Sequence, residues 1–149
     1  MSAAYEWHKL AKIFQTPNEG ERFLADLTAA RLAERMIADG VPAEEAEAAS
    51  LRVDARMKDA ILKLYRSAVT VGAEWEPDLR RITAPGLVLW GERDEPCPVV
   101  NADRLAAATG ARTVIKLDAG HWFPVQKPEL VARALQSHWE STQAHSRAN

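Results

Sequence analysis

The segment Gly86-Leu87-Val88-Leu89-Trp90-Gly91 decides the fold class, because it is a short apolar run with no polar alternation and a glycine at each end. Such a run is typical of a β-strand that is covered on both faces, as strands of parallel sheets are. A helical pattern follows at residues 101–109, a β-rich run at 113–117 and another helical pattern from Pro128. This order predicts an α/β fold in which two parallel strands are joined by a right-handed crossover.

Upstream of this unit the sequence has helical character. Apolar residues recur at helical spacing from Trp7 onward, and no β-type alternation occurs in this part of the chain. We predict that Thr28 is the N-cap of one helix and that this helix ends at Gly40. Pro42 and the acidic residues after it predict the start of another helix, which we expect to run to about Val71.

These patterns divide the chain into three segments. We predict a helical segment at residues 1–80 and an α/β unit at residues 81–140. Residues 141–149 are polar, and we expect them to form a flexible tail.

The composition indicates a globular protein. The 149 residues include 19 Lys and Arg against 21 Asp and Glu, which gives a net charge of -2, and 47% are hydrophobic. A chain of this composition buries a core, and it lacks the clustered basic charge of a nucleic-acid platform. Cys97 is the single cysteine, and neither a signal peptide nor a membrane-spanning run is found. We therefore predict a soluble cytoplasmic protein that binds neither nucleic acid nor membranes.

Titratable side chains follow both predicted strands at the point where each strand ends. Asp94 comes shortly after the first strand, and His121 comes shortly after the second. Neighbouring parallel strands lie about 4.8 Å apart, so we expect Asp94 within hydrogen-bonding reach of His121. A carboxylate held against one imidazole nitrogen fixes the tautomer and leaves the other nitrogen as a general base. Three nearby carboxylates also compete for the imidazole, namely Glu92, Glu95 and Asp118.

Most other residues that could serve in catalysis or metal binding are assigned structural roles. Cys97 is interpreted as a small loop residue, because nothing adjacent in the sequence would ionise its thiol. The remaining histidines lack the spacing of a metal site, so no metal and no cofactor are predicted. Several aromatic residues are interpreted as core side chains, namely Trp7, Tyr65 and Trp75. Trp122 directly follows the candidate base and is the aromatic residue for which we consider a place beside substrate.

Two segments, Ile82 to Pro98 and Val114 to Leu135, resemble the C-terminal part of an α/β-hydrolase. These enzymes order their catalytic triad as nucleophile, acid and histidine. The resemblance implies that Asp94, in a Gly-x-x-Asp motif, is the acid and that His121, in a Gly-His motif, is the histidine. The helical stretch from Tyr5 to about Leu79 is similar to the cap that many members insert before the penultimate strand.

The sequence departs from this family in one large respect. It contains no Gly-x-Ser-x-Gly nucleophile elbow and no version of it with Asp or Cys. The resemblance therefore implies a truncated or partial hydrolase that supplies only the acid and the histidine and has little activity as this chain alone. Whether the nucleophile is Ser, Asp or Cys stays open, and with it the choice among esters, haloalkanes and epoxides as substrates.

A non-catalytic binding or oligomerisation module derived from a hydrolase is the alternative. In the family, the Leu87–Trp90 strand pairs with a strand that this sequence lacks, which would expose unpaired backbone groups beside apolar side chains. We therefore expect a weakly folded or self-associating chain, or one that pairs with a missing N-terminal half. A small-molecule substrate is expected only with a complete core.

Overall fold

The computed structural model describes residues 7–147, with side chains through residue 143. The chain divides into two compact units, Met1–Asp78 and Leu79–Asn149. Residues 1–6 of the predicted helical segment lie outside the described residues. No helix in the described range is long and apolar enough to cross a membrane.

All the regular secondary structure in the described part of the first unit is helical. Its helices are α1 (Lys9–Gln15), α2 (Glu19–Asp26), α3 (Ala29–Ala38), α4 (Ala43–Ser50), α5 (Ala55–Ser67) and α6 (Val71–Leu79), the last of which ends at the boundary between the units. Helix α1 packs against α2 and α5, while α3 packs against α4. Phe14, Leu24 and Leu62 form the buried centre of the first group, and Phe14 meets the Tyr65 ring edge-on at 5.1 Å. Tyr65 therefore packs against the core, as predicted.

Local capping signals define the ends of α3. The hydroxyl oxygen of Thr28 accepts a hydrogen bond from the Arg31 backbone N–H, and α3 begins at the next residue, Ala29. Gly40 has a φ of 86°, which an L-residue rarely adopts, and it follows the end of the helix. Both predicted caps are confirmed.

The predicted long helix from Pro42 to about Val71 is wrong, because the structure breaks it between α4 and α5. Asp54 has an extended backbone there, and its carboxylate accepts a hydrogen bond of 2.8 Å from the Met57 N–H. An N-cap carboxylate satisfies one of the free N–H groups of a new helix, which competes with continuing the old one. An aspartate before an apolar helical pattern was the sequence signal for this second start.

The second unit contains the sheet. Its elements are β1 (Leu87–Gly91), α7 (Val100–Thr109), β2 (Thr113–Leu117), α8 (Phe123–Gln126) and α9 (Pro128–Arg147). Strands β1 and β2 pair in parallel, with Leu87 opposite Thr113 and Gly91 opposite Leu117. The predicted α/β class and parallel pairing are confirmed, in a chain that is mostly helical. Helix α9 extends to Arg147, into the segment for which we predict a flexible tail.

Burial of the sheet is uneven between its two faces. Helix α7 packs on one face, where Ala102 and Ala106 contact Val88 and the half-buried Trp90. Side chains alternate along a strand, so Leu87 and Leu89 point to the other face. Both are only half-buried, so the predicted covering of β1 on both faces is not found among the described residues.

Candidate active site

The loops that leave β1 and β2 are joined by backbone hydrogen bonds beyond the strands. The Glu92 N–H donates to the Leu117 carbonyl at 2.8 Å, and the Arg93 N–H donates to the Ala119 carbonyl at 2.9 Å. Because the strands are parallel, both loops leave the same edge of the sheet. The pairing thus continues past the strands into the residues that carry the titratable groups.

Gly91 permits the close approach of these two loops. A Cβ atom at this position would lie 2.3 Å from the Gly120 carbonyl oxygen and 2.8 Å from the Ala119 carbonyl oxygen. Real Cβ atoms do not approach oxygen so closely, so a side chain here would push the loops apart. The first position of the Gly-x-x-Asp motif is therefore a glycine because the packed loops leave no room for a side chain there.

Asp94 is held as a buried carboxylate in the first loop. The residue is 7% exposed, and its Oδ1 accepts a hydrogen bond of 2.8 Å from the Cys97 backbone N–H. Its own N–H donates to the Gly91 carbonyl at 3.3 Å, which closes the turn after β1. A buried carboxylate requires such partners, since an unpaired one would carry a large desolvation cost.

The structure brings His121 and Asp94 together. His121 Nδ1 lies 3.0 Å from Oδ1 and 3.0 Å from Oδ2 of Asp94. A carboxylate accepts hydrogen bonds, so this contact favours the tautomer with the proton on Nδ1 and leaves Nε2 as the proton acceptor. The His121 side chain is 46% exposed against 6% for that of Asp94, which leaves the imidazole accessible.

The three other carboxylates considered as partners of the imidazole do not contact it. Asp118 forms an ion pair with Arg93, and the Arg93 guanidinium also donates to the Asp118 carbonyl at 3.3 Å. Glu92 and Glu95 are exposed. Among residues 7–143, whose side chains the structure describes, the carboxylate that contacts His121 is that of Asp94.

Helix α8 fixes the backbone beside His121. The Gly120 N–H donates to the Gln126 side-chain oxygen at 2.7 Å, and the Phe123 N–H donates to the Gly120 carbonyl at 3.1 Å. The Trp122 ring lies edge-on to the imidazole, with centroids 5.7 Å apart. Sequence reasoning missed Gln126, whose role depends on a short helix that no periodic pattern indicates.

Cys97 lies closer to the dyad than its sequence interpretation suggests. Its N–H donates to Asp94, and its carbonyl accepts a hydrogen bond of 2.8 Å from the Trp90 indole N–H. The ligand atoms of Cys97, Asp94 and His121 all lie within 4.8 Å of one another. The sequence signal was its position three residues after the acid, but a thiol at that spacing did not by itself indicate the contact.

The other histidines and Trp75 lie in helices or at a helix end, rather than in the loops of the candidate site. His8 caps α1, because its Nδ1 accepts a hydrogen bond of 3.2 Å from the Ala11 N–H. The core interpretation of Trp75 is wrong, since this residue is 65% exposed. His138 is half-buried on α9, and the side chain of His145 lies outside the described residues.

The chain was compared with known families, curated proteins and solved structures. The model of the alpha/beta hydrolase family matches residues 3–134 of the chain. No curated protein and no solved structure gave a match. Since the family match extends over most of the chain, the protein belongs to the alpha/beta hydrolase family. The parallel strand pair and the carboxylate–imidazole contact at its carboxyl edge are consistent with a partial fold of this kind.

Proposed function

We propose that this chain supplies the acid and the histidine of a hydrolase triad. The observation that carries the proposal is the contact between Asp94 and His121 Nδ1, at 3.0 Å to each carboxylate oxygen. In this role Asp94 orients the imidazole and stabilises the imidazolium that forms during catalysis. His121 removes a proton from the attacking group through Nε2 and later returns it to the leaving group.

The nucleophile lies outside these 149 residues in this proposal, because the sequence contains no nucleophile elbow. With a serine nucleophile the reaction is hydrolysis of an ester or related acyl compound through an acyl-enzyme. With an aspartate nucleophile it is hydrolysis of a haloalkane or an epoxide through an alkyl-enzyme ester. As this chain alone, the protein has little triad-dependent activity, since loss of the nucleophile removes most of the rate enhancement.

The proposal assigns the first unit to the cap of that hydrolase. Its regular elements in the described range are helices, and the family match extends across them as well as across the sheet. The acid and the histidine both belong to the second unit, which therefore represents the end of the hydrolase core.

The nucleophile-bearing segment adds to the free edge of β1 in this proposal. In the described sheet, β1 pairs only with β2, so its other edge has no strand beside it. Leu87, Leu89 and Ile115 are half-buried apolar residues on one face of this sheet. Further strands would pair the backbone groups at that edge, and their helices would cover the apolar side chains of that face. Both changes would stabilise the sheet.

Complementation tests the proposal directly. The DNA upstream of the Met1 codon is translated in frame and searched for a strand followed by a nucleophile elbow. The polypeptide that carries the elbow is mixed with this chain, and hydrolysis is measured for the pair. The substrate is p-nitrophenyl acetate if the elbow carries serine, and a haloalkane or an epoxide if it carries aspartate. We expect activity from the mixture and from neither part alone, with loss of that activity in His121→Ala.

His138→Ala is the matched control, because His138 lies on α9, whereas Asp94 and His121 lie in the loops that follow the two strands. With the elbow-bearing polypeptide, this variant should hydrolyse the same substrate as fast as the unmodified chain does. If His121→Ala and the unmodified chain give equal rates with the elbow-bearing polypeptide, the triad proposal is wrong.

A non-catalytic binding or oligomerisation module is the second candidate function. The half-buried apolar face at Leu87, Leu89 and Ile115 favours it, because such a face is stabilised by any partner that covers it. An unrelated gene upstream of Met1, together with stable self-association, would support this module over the triad.

A further inference from the structure

Three side chains of different chemistry meet at the carboxyl edge of the sheet. Asp94 and Cys97 come from the loop after β1, and His121 comes from the loop after β2. One oxygen, one sulfur and one nitrogen from these residues lie within 4.8 Å of one another. A hydrolase triad uses the aspartate and the histidine but leaves the thiol without a role.

The spacing of these atoms is close to that of a tetrahedral zinc site. Zinc binds nitrogen and oxygen at about 2.0–2.2 Å and sulfur at about 2.3 Å, which separates the ligand atoms by about 3.3–3.6 Å. The contact between His121 Nδ1 and Asp94 is already 3.0 Å. The sulfur lies no more than 4.8 Å from the other two atoms, so zinc binding requires the Cys97 side chain to move toward them.

The charges of the cluster suit a divalent cation. A carboxylate and a thiolate carry two negative charges, and a neutral imidazole adds none, so a divalent ion makes the site neutral. Asp94 is 7% exposed, and a buried carboxylate gains from a cation that neutralises it. Its Oδ1 also accepts the Cys97 N–H, which holds the carboxylate and the start of the cysteine side chain in one place.

We propose that Asp94, Cys97 and His121 bind zinc through one atom each, with water as the fourth ligand. On binding, the Cys97 thiol releases its proton to solvent and the thiolate forms the zinc–sulfur bond. The coordinating imidazole nitrogen is unprotonated and donates its lone pair. Bound zinc occupies both members of the dyad, so metal binding and proton transfer by His121 exclude each other. The metal site stands independently of the triad, because its residues would bind zinc whether or not the protein is a hydrolase.

Protection of the thiol tests the site in the unmodified chain. Cys97 is the single cysteine, so the rate of alkylation by iodoacetamide reports on this residue alone. At a zinc concentration about 100-fold above the Kd, we expect alkylation to be about a hundredfold slower, and a chelator to restore the rate. Unchanged alkylation at millimolar zinc would overturn the proposal.

Cobalt substitution tests which residues bind the ion. We expect Co²⁺ to give a sulfur-to-cobalt charge-transfer absorption band with the unmodified chain and none with Cys97→Ser. His121→Ala and Asp94→Ala should each weaken Co²⁺ binding by about tenfold or more. The matched control is His138→Ala, which should bind as the unmodified chain does.

The pattern across the variants decides the outcome. If His121→Ala and Asp94→Ala bind Co²⁺ as tightly as the unmodified chain, the ion is held by the cysteine alone and the three-residue site is wrong. Circular dichroism establishes that each variant is folded, and His121→Gln replaces His121→Ala if the latter is not. The alkylation experiment needs no variant, so unchanged alkylation overturns the site even if every substitution disturbs the fold.

Discussion

At the residue scale, Asp94 holds two loops together through one carboxylate. Oδ1 accepts the Cys97 N–H within its own loop, and both oxygens lie 3.0 Å from His121 Nδ1 in the other loop. Since all these contacts require acceptors, the ionised carboxylate suits the position better than any group that carries hydrogen-bond donors.

Asp94→Asn should reverse the imidazole tautomer while leaving the fold intact. An amide of the same shape still accepts the Cys97 N–H through its oxygen, but it then presents its NH₂ group to His121 Nδ1. We expect ¹⁵N NMR of the imidazole to show the proton moving from Nδ1 to Nε2. In the complemented enzyme, kcat should fall by about 10⁴-fold.

Asp118→Asn is the control for this experiment. Asp118 pairs with Arg93 at the surface, where its side chain is 75% exposed, and it does not contact the imidazole. Its substitution should leave the His121 tautomer unchanged. An unaltered tautomer in Asp94→Asn would contradict the orienting role of Asp94.

Glu21 and Arg66 form an ion pair that links α2 and α5. Arg66 donates to the Glu21 carboxylate at 2.8 Å, and this hydrogen bond lowers the pKa of Glu21 from 4.5 to about 2. A depressed pKa stabilises the fold above the unfolded value of 4.5, and that contribution is lost as the pH falls toward about 2. We expect carboxyl ¹³C NMR to place the Glu21 titration near the lower value.

Arg66→Gln should return the Glu21 pKa toward its usual value, because the hydrogen bond and the charge are both removed. Arg22→Gln is the matched control, since Arg22 donates instead to the Asn18 carbonyl. A Glu21 titration that is the same in all three proteins would show that the ion pair does not form in solution.

At the scale of elements, the approach of the two loops depends on β1 ending in a glycine. Gly91 pairs with Leu117 in the sheet, and a Cβ atom on Gly91 would lie 2.3 Å from the Gly120 carbonyl oxygen. Strand pairing and the Asp94–His121 contact are thus coupled through a single backbone position.

Gly91→Ala should destabilise the second unit by about 1–3 kcal/mol, because the new methyl group meets backbone oxygens that have to move. Urea unfolding followed by tryptophan fluorescence measures the loss. In the same variant, alkylation of Cys97 and the ¹⁵N signal of His121 should change, since the loops separate.

Gly120→Ala provides the matched control on the same edge. Its Cβ would meet nothing closer than the Gln126 side chain at 3.5 Å, which is an ordinary contact. We expect a change within about 0.5 kcal/mol. Equal stabilities for the two variants would show that the close approach at Gly91 is not a constraint in solution.

At the scale of the whole molecule, the sheet contains too few strands to cover its own apolar side chains. Two parallel strands and α7 cover one face, while Leu87, Leu89 and Ile115 remain half-buried on the other. Sheets of this size are marginally stable alone, and free apolar edges pair with other chains.

The isolated chain should therefore associate with itself as its concentration rises. Sedimentation velocity over a range of concentrations measures this association, and Leu89→Lys should weaken it by placing a charge on the half-buried apolar face. Leu51→Lys is the control, because Leu51 is a 76% exposed leucine outside the sheet. A monomer at all concentrations that melts in one cooperative transition would contradict the prediction.

Much of the second unit could be predicted from sequence because its signals are local. The apolar run at β1, the β-rich run at β2 and the glycine at 110 act through neighbouring backbone, and Gly110 indeed has a φ of 72° at the end of α7. The helix boundary at Asp54 was missed although its signal is equally local, since the capping aspartate stands inside a continuous helical pattern.

The sequence by itself determined the order β1–α7–β2, the caps of α3 and the presence of an acid and a histidine after successive strands. Only the tertiary structure decided which carboxylate meets His121 and that Cys97 joins them, because Asp94 and His121 are 27 residues apart in the chain. Helix caps and strand periods depend on neighbouring residues, whereas contacts across a sheet depend on register and on how closely two backbones approach. Here that approach is set by Gly91 opposite the Gly120 carbonyl.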